Sequence, residues 1–287
     1  MRLPAPLLRR DRRAYKNQFG HVLILAGSRT MIGAAALSGL AAMRTGAGLV
    51  TLGIPQSLND VIQKKISPVL MTFPLKETRE QTIDAGAYFQ IQKRINDFDV
   101  VALGPGLSKN SSTQKFVQKI IKTLDLALVI DADALYALSV QPEILLKTRA
   151  QKILTPHPGE MADLTGLKKS AIETNRPRAA QNFAEKYRCV LLLKGFQTVV
   201  ASADGKVYIN RTGNSGMASA GSGDVLTGMI AALLGQGLNS FEAAKWGACL
   251  HGLAGDLAAK KKTRAAMIAS DIIDHIPEAL KRSLLGH

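Results

Sequence analysis

Two Cys and one Trp stand among 287 residues, and aromatic residues make up 5% of the chain. Two cysteines are too few for a secreted disulfide scaffold. Neither Cys189, in the apolar run CVLLLKG, nor Cys249, in AAKWGACLHGLAGDLA, has a second Cys or a paired His at zinc-ligand spacing, so both read as small buried hydrophobes. No stretch approaches the roughly 18 consecutive apolar residues that would cross a bilayer. Met1 to Tyr15 lacks the apolar core of a signal peptide, because Pro4, Pro6 and a block of arginines interrupt it. A cytoplasmic protein without membrane association is expected. A hydrophobic content of 46% excludes a disordered chain, and 25 Gly with no three-residue period exclude a collagen.

Acidic residues are scarce as well: 37 Lys and Arg face 22 Asp and Glu, a formal net charge of +15. Nine of those fifteen units sit in two places. One holds Arg2, Arg9, Arg10, Arg12, Arg13 and Lys16 against Asp11, and the other is Lys260, Lys261, Lys262 and Arg264. Charge runs ordinarily form solvated faces. The expected organisation is a basic N-terminal arm over 1–16 and a single domain over 17–287. Nucleic acid is the competing partner for such an arm, and it is not the expected one.

Short apolar runs alternate with longer amphipathic stretches, which argues for an α/β fold with a central, mostly parallel sheet and helices on both faces, a three-layer α/β/α arrangement. Strands are expected at 21–26, 48–54, 98–103, 126–130 and 189–194, with helices at 33–45, near 81–95 and at 112–124. Residues 197–201 and 206–209 flank Ser202, Ala203, Asp204 and Gly205, the chemistry of a hairpin turn. Helices follow at about 223–235, 239–259 and 269–283, the last expected to bend at Pro277.

The common nucleotide signatures are missing. Nothing matches G-x4-G-K-[ST], and Gly104-x-Gly106 and Gly221-x-Gly223 both lack the third glycine of a dinucleotide fingerprint. What is present is NRTGNSGMASAGSGDVLTGMIAALLGQG, from Asn210 to Gly237, in which Gly213, Gly216, Gly221 and Gly223 open directly into an apolar helix. Free N–H groups and the positive helix end converge there, which makes an anion site needing no side chain. Asp224, at the mouth of that helix, is either a first-turn acid or a general base beside a bound phosphate. Five further turns follow strands: Gly27-Ser28 with Gly33-Ala34, Leu103 to Leu107 (LGPGL), Asp131 to Leu135 (DADAL), Thr155 to Glu160 (TPHPGE), and Lys194 to Thr198 (KGFQT). Asp131 and Asp133 either hold a hydrated magnesium ion or cap the next helix. Two prolines stiffen the exit that carries His157 and Glu160. Lys194 reads, taken alone, as a lysine snorkelling from a strand end. Together these turns lie on one rim of the sheet, where α/β proteins bind ligands.

The succession GSRTMIGAA, GPGL, DADAL, TPHPGE, KGFQT and N-x-T-G-N-x-G-M-A-x-x-G-S-G-D-V-L-T-G resembles the ADP/ATP-dependent NAD(P)H-hydrate dehydratase family, on the ribokinase-like fold, over about residues 20 to 283. The chain departs from the family pattern at Tyr15-Lys16-Asn17, at Met31 and at Ala218-Ser219-Ala220-Gly221. The resemblance implies that ATP or ADP phosphorylates the ring hydroxyl of the S form of hydrated NADH or NADPH (NADHX or NADPHX), and that phosphate then leaves to restore the nicotinamide. It implies Asp224 as the catalytic base and Gly221, Ser222 and Gly223 as the cradle of the phosphoryl group. It further implies Ala34, Gly106, His157 and Asp224 as hydrate-binding positions, and Lys194, Gly195, Phe196, Gln197, Thr198 and Gly223 as nucleotide positions. Mg2+, held by Glu160 through water, a homo-oligomer such as a tetramer, and a separate NAD(P)HX epimerase as functional partner belong to the same expectation, since about twenty residues precede the first strand. The alternatives are a related kinase of a hydroxymethylpyrimidine or thiazole alcohol and a non-catalytic nucleotide sensor.

Overall fold

The structure, a computed structural model, describes residues 3–8, 10–64 and 66–285; Arg2 and Arg9 of the basic segment lie outside them. Its nine strands are β1 (His21–Leu25), β2 (Leu49–Pro55), β3 (Met71–Leu75), β4 (Val100–Leu103), β5 (Ala127–Ile130), β6 (Lys152–Leu154), β7 (Val190–Leu193), β8 (Val199–Ser202) and β9 (Val207–Ile209). They form one sheet in the order β3-β2-β1-β4-β5-β6-β7-β8-β9. β1 to β7 run parallel, β8 is antiparallel to β7, and β9 is antiparallel to β8.

Alternation along each strand divides the core in two. Val22 and Ile24 of β1 join a cluster with the helices Ile32–Thr45, Ser222–Gly235, Ser240–Lys262 and Ala269–Leu285. Leu23 and Leu25 join the opposite cluster, with the helices Ala87–Lys93, Ser111–Thr123, Asp133–Ser139 and Arg176–Tyr187. This is the expected three-layer arrangement. Among the described residues no helix is long and apolar enough to cross a membrane.

One expected helix is shorter, and one further strand is present. The helix expected near 81–95 is only Ala87–Lys93, because Asp84 accepts from Gly86 N–H at 2.9 Å and Glu77 bridges to Ile83, giving the preceding backbone turn-like partners instead. MTFPL at 71–75 is a strand that the alternation alone does not reveal; Pro74 is tolerated because β3 is the sheet edge. The helix Ala269–Leu285 continues through Pro277.

The basic N-terminal segment is not wholly solvated. Leu3 is buried in the first core cluster, with Leu7 and Leu8 packed against it. The Arg10 guanidinium lies 3.8 Å from the Phe19 ring centroid and donates to Gly46 O at 2.5 Å and to Gln236 Oε1 at 3.3 Å. Gly46 and Gln236 are the residues that close the helices Ile32–Thr45 and Ser222–Gly235. A cation at two carboxyl helix ends complements both dipoles.

Those two helices touch backbone to backbone, since a Cβ on Gly228 would fall 2.0 Å from Ser38 O. Their amino ends are thereby brought side by side on the carboxyl rim. Gly228→Ala should therefore cost about 2 kcal/mol or more, measured as a lower denaturant midpoint. Arg10→Ala should cost about 1 kcal/mol, and an unchanged midpoint in either variant would refute the role given to that contact.

Candidate active site at the carboxyl rim

β5 and β7 flank β6, and the residues that follow them meet above it. Lys194 turns back over the sheet, so that its Nζ lies 2.7 Å from Asp131 Oδ1 and 3.7 Å from Glu160 Oε2. The Asp131 side chain is 2% exposed and that of Lys194 20%, so the pair is desolvated rather than snorkelling. The second Asp131 oxygen accepts from Thr227 Oγ1 at 2.7 Å, which ties the ion pair to the helix Ser222–Gly235. Burial works to lower the Lys194 pKa, but the Asp131, Glu160 and Asp224 carboxylates outweigh it and hold the ammonium above its ordinary value.

The glycine-rich turn leaves its helix mouth open. Gly221 precedes the helix in the left-handed region at φ 84°, and no side chain caps the helix. The Gly223 and Asp224 N–H groups therefore open onto the rim without a partner among the described residues. Lys194 reaches this helix mouth, its Nζ lying 3.5 Å from where a Cβ on Gly223 would be, an ordinary contact. Asp224 lies in the first turn of this helix and makes no capping bond. Burial first, and then the Asp131 charge, push its carboxyl up to about 6 against the pull of Lys194.

His157 and Glu160 form a reciprocal cap. His157 Nδ1 accepts from Gly159 and Glu160 N–H at 3.0 and 3.1 Å, while Glu160 Oε2 accepts from His157 N–H at 2.7 Å. The capping role and the fixed side-chain angles are thus the same interaction. Burial raises the Glu160 pKa, with Lys194 opposing. His157, Glu160, Ala132, Tyr136 and Lys109 line part of a cavity of about 340 Å³ beside this cap. Asp133 accepts from Ser108 N–H at 2.8 Å, so it pins the β4 exit.

Gly106 and Ala34 meet across the rim, an added Cβ on the glycine falling 3.1 Å from the alanine Cβ. In the loop after β7, Thr198 Oγ1 donates to Gly195 O at 3.0 Å, Gln197 has φ 52°, and Phe196 is 89% exposed. The polar residues of the glycine-rich segment serve the scaffold. Asn210 and Thr212 donate to Ala248 O and Cys249 O, and Asp256 accepts from Gly213 N–H and Asn214 Nδ2, pinning the loop to the helix Ser240–Lys262.

Sequence reasoning missed Thr227, although it lies three residues after Asp224 on one helix face. It also missed His251, buried with Nε2 3.4 Å from Ser222 Oγ and its pKa lowered by burial to about 4. No spacing rule connects positions 222 and 251. Among the described residues no group of three or more His, Cys, Asp or Glu is placed to hold a metal ion.

The profile of the NAD(P)H-hydrate dehydratase family matches residues 22–278. The chain belongs to that family. A bifunctional NAD(P)H-hydrate repair enzyme of Moorella thermoacetica is 43% identical over 275 residues, which cover 96% of this chain and 52% of that protein. The chain thus spans about half the length of the curated relatives it matches first. The ADP/ATP-dependent NAD(P)H-hydrate dehydratase of Bacillus subtilis, crystallised with ATP and Mg2+, is 31% identical with a TM-score of 0.80, covering 96% of this chain and 94% of that one. A ribokinase-like superfamily protein of Enterococcus faecalis superposes with a TM-score of 0.83 at 26% identity, covering 98% and 95%. The fold of this family member is therefore ribokinase-like.

The ion pair makes a direct prediction. Lys194→Met leaves Asp131 buried without its counter-charge and should destabilise the protein by about 3 kcal/mol. Adding Asp131→Asn should recover part of that loss, and simple additivity in the double variant would show that the two side chains do not support each other.

Proposed function

We propose that the protein dehydrates the S form of hydrated NADH or NADPH at the expense of ATP or ADP, in the cytoplasm. One observation carries this reading: a carboxyl that caps nothing, Asp224, stands at an uncapped helix mouth beside a buried lysine. Family membership and the ATP-bound relative support it.

In this reading the Gly221, Ser222 and Gly223 backbone receives the transferring phosphoryl group, which needs positioning and charge stabilisation more than covalent help. Asp224 accepts the proton of the ring hydroxyl as that oxygen attacks phosphorus. A base whose pKa lies near 6 is ionised at neutral pH yet basic enough to take part. Lys194, held by Asp131, brings positive charge to the nucleotide side. Ala34, Gly106 and His157 contact the hydrate, and the Gly195 to Thr198 loop with Gly223 contacts the nucleotide. Elimination of the new phosphate then restores the nicotinamide double bond.

The residues fit a hydrated Mg2+, which takes one or two carboxylates together with substrate phosphates. Glu160 Oε1, the oxygen that does not accept from His157 N–H, would hold it through water, and the ion would neutralise phosphate charge. A homo-oligomer and a separate epimerase that interconverts the two hydrate forms complete the reading.

Purified protein given ATP or ADP, Mg2+ and hydrated NADH should regenerate reduced-nicotinamide absorbance; no recovery with either nucleotide would refute the proposal. Asp224→Asn should abolish turnover while nucleotide still binds, and near-normal turnover would return Asp224 to a structural role. The raised pKa also sets a pH dependence. Below about 6 the base is protonated, so kcat/KM should fall about tenfold per pH unit there and level off above it.

A further inference from the structure

Arg176 belongs to no motif. It opens the helix Arg176–Tyr187, yet its side chain leaves that helix and reaches the end of β7. There Nη2 donates to Leu193 O at 2.9 Å and to Lys194 O at 3.0 Å. On the β6 side the paired residues of β7 end at Leu191, and past them the Lys194 N–H donates to Pro156 O at 2.8 Å while the Leu193 and Lys194 carbonyls turn to Arg176. Backbone groups beyond a strand end need partners from elsewhere, and one guanidinium serves two successive carbonyls.

The same group is the floor of the next residue. Gly195 has φ 134°, and a Cβ there would fall 2.6 Å from Arg176 Nη1. The loop rests on the guanidinium with no room for a side chain between them. Lys194 is consequently held from two directions, its carbonyl by Arg176 and its ammonium by Asp131. Arg176 Nε is buried with no hydrogen-bond partner, and burial lowers the pKa of the group, with Glu173 opposing. A half-buried cation with an unfilled donor is a costly way to tie down a strand end that stability alone would ask for. It gains a purpose where polyphosphate is to bind, because the backbone it fixes must present Lys194 and the Gly195 to Thr198 loop in one geometry.

We propose that Arg176 is a positioning residue of the nucleotide site, acting through the β7 exit to set Lys194 and the Gly195 to Thr198 loop for a nucleoside di- or triphosphate. This rests on the assignment of that loop to the nucleotide. The test is ADP binding by calorimetry to the whole protein, which needs no turnover, alongside the KM values for nucleotide and for hydrated NADH. Arg176→Gln should weaken ADP binding about tenfold or more, the scale of a lost charge-assisted hydrogen bond. The KM for hydrated NADH should stay within about twofold of wild type, well below that tenfold step. Arg176→Lys should fall between, since a point charge replaces a planar fork. An Arg176→Gln variant that melts earlier but binds ADP with wild-type affinity would overturn the proposal, as would equal losses in both KM values. If Arg176→Gln does not fold, wild-type ADP affinity in Arg176→Lys overturns it instead. Should the wild type bind ADP without regenerating NADH, the dehydratase reading fails while this one is still decided by the variants.

Discussion

The buried pair between Lys194 and Asp131 is the constraint around which the rim is arranged. Two charges taken out of water are tolerable only when they meet closely and their remaining valences are filled. Asp131 meets that requirement with the ammonium on one oxygen and the Thr227 hydroxyl on the other. Three elements, the β5 exit, the β7 exit and the helix Ser222–Gly235, are thereby held to one point. Asp224 experiences the consequence. Burial first pushes it toward its neutral form, the Asp131 charge adds to that push, and Lys194 keeps it from going further. Its ability to hold or release a proton near neutral pH is thus a property of the cluster, not of an isolated aspartate.

Much of this was legible in the sequence, and the reasons are specific. β1, β4, β5 and β7 are buried on both faces and read as continuous apolar runs. The glycine-rich entry to the helix Ser222–Gly235 points to an uncapped helix mouth, and the helix has no side-chain cap. TPHPGE announced a stiff strand exit, and the prolines and the reciprocal His157–Glu160 cap deliver one. What escaped was whatever depends on distant positions meeting. Lys194 and Asp131 are 63 residues apart and Thr227 a further 96 from Asp131, so each looked ordinary in its own neighbourhood. Arg176 was invisible because a lone arginine at a helix start carries no pattern.

The motif residues also divide their labour differently from what their spacing suggests. Asn210, Thr212 and Asn214 stand beside the glycine turn in sequence, yet their side chains grip the helix Ser240–Lys262 and the loop itself. The glycines between them shape the mouth, and the polar residues keep that shape from collapsing. Polar residues in a glycine-rich segment therefore need not face the helix mouth it opens.

The surplus of positive charge, which first suggested a partner, has a partly architectural use. Arg10 joins the closing residues of two helices whose opening residues form the anion turn and the Gly33-Ala34 corner. Each helix has 14 residues, about 21 Å of rigid rod at 1.5 Å per residue. Arg10 fixes the rods at their closing ends and the Gly228–Ser38 backbone contact fixes them at mid-length, so the separation of their opening ends at the rim is set at two points.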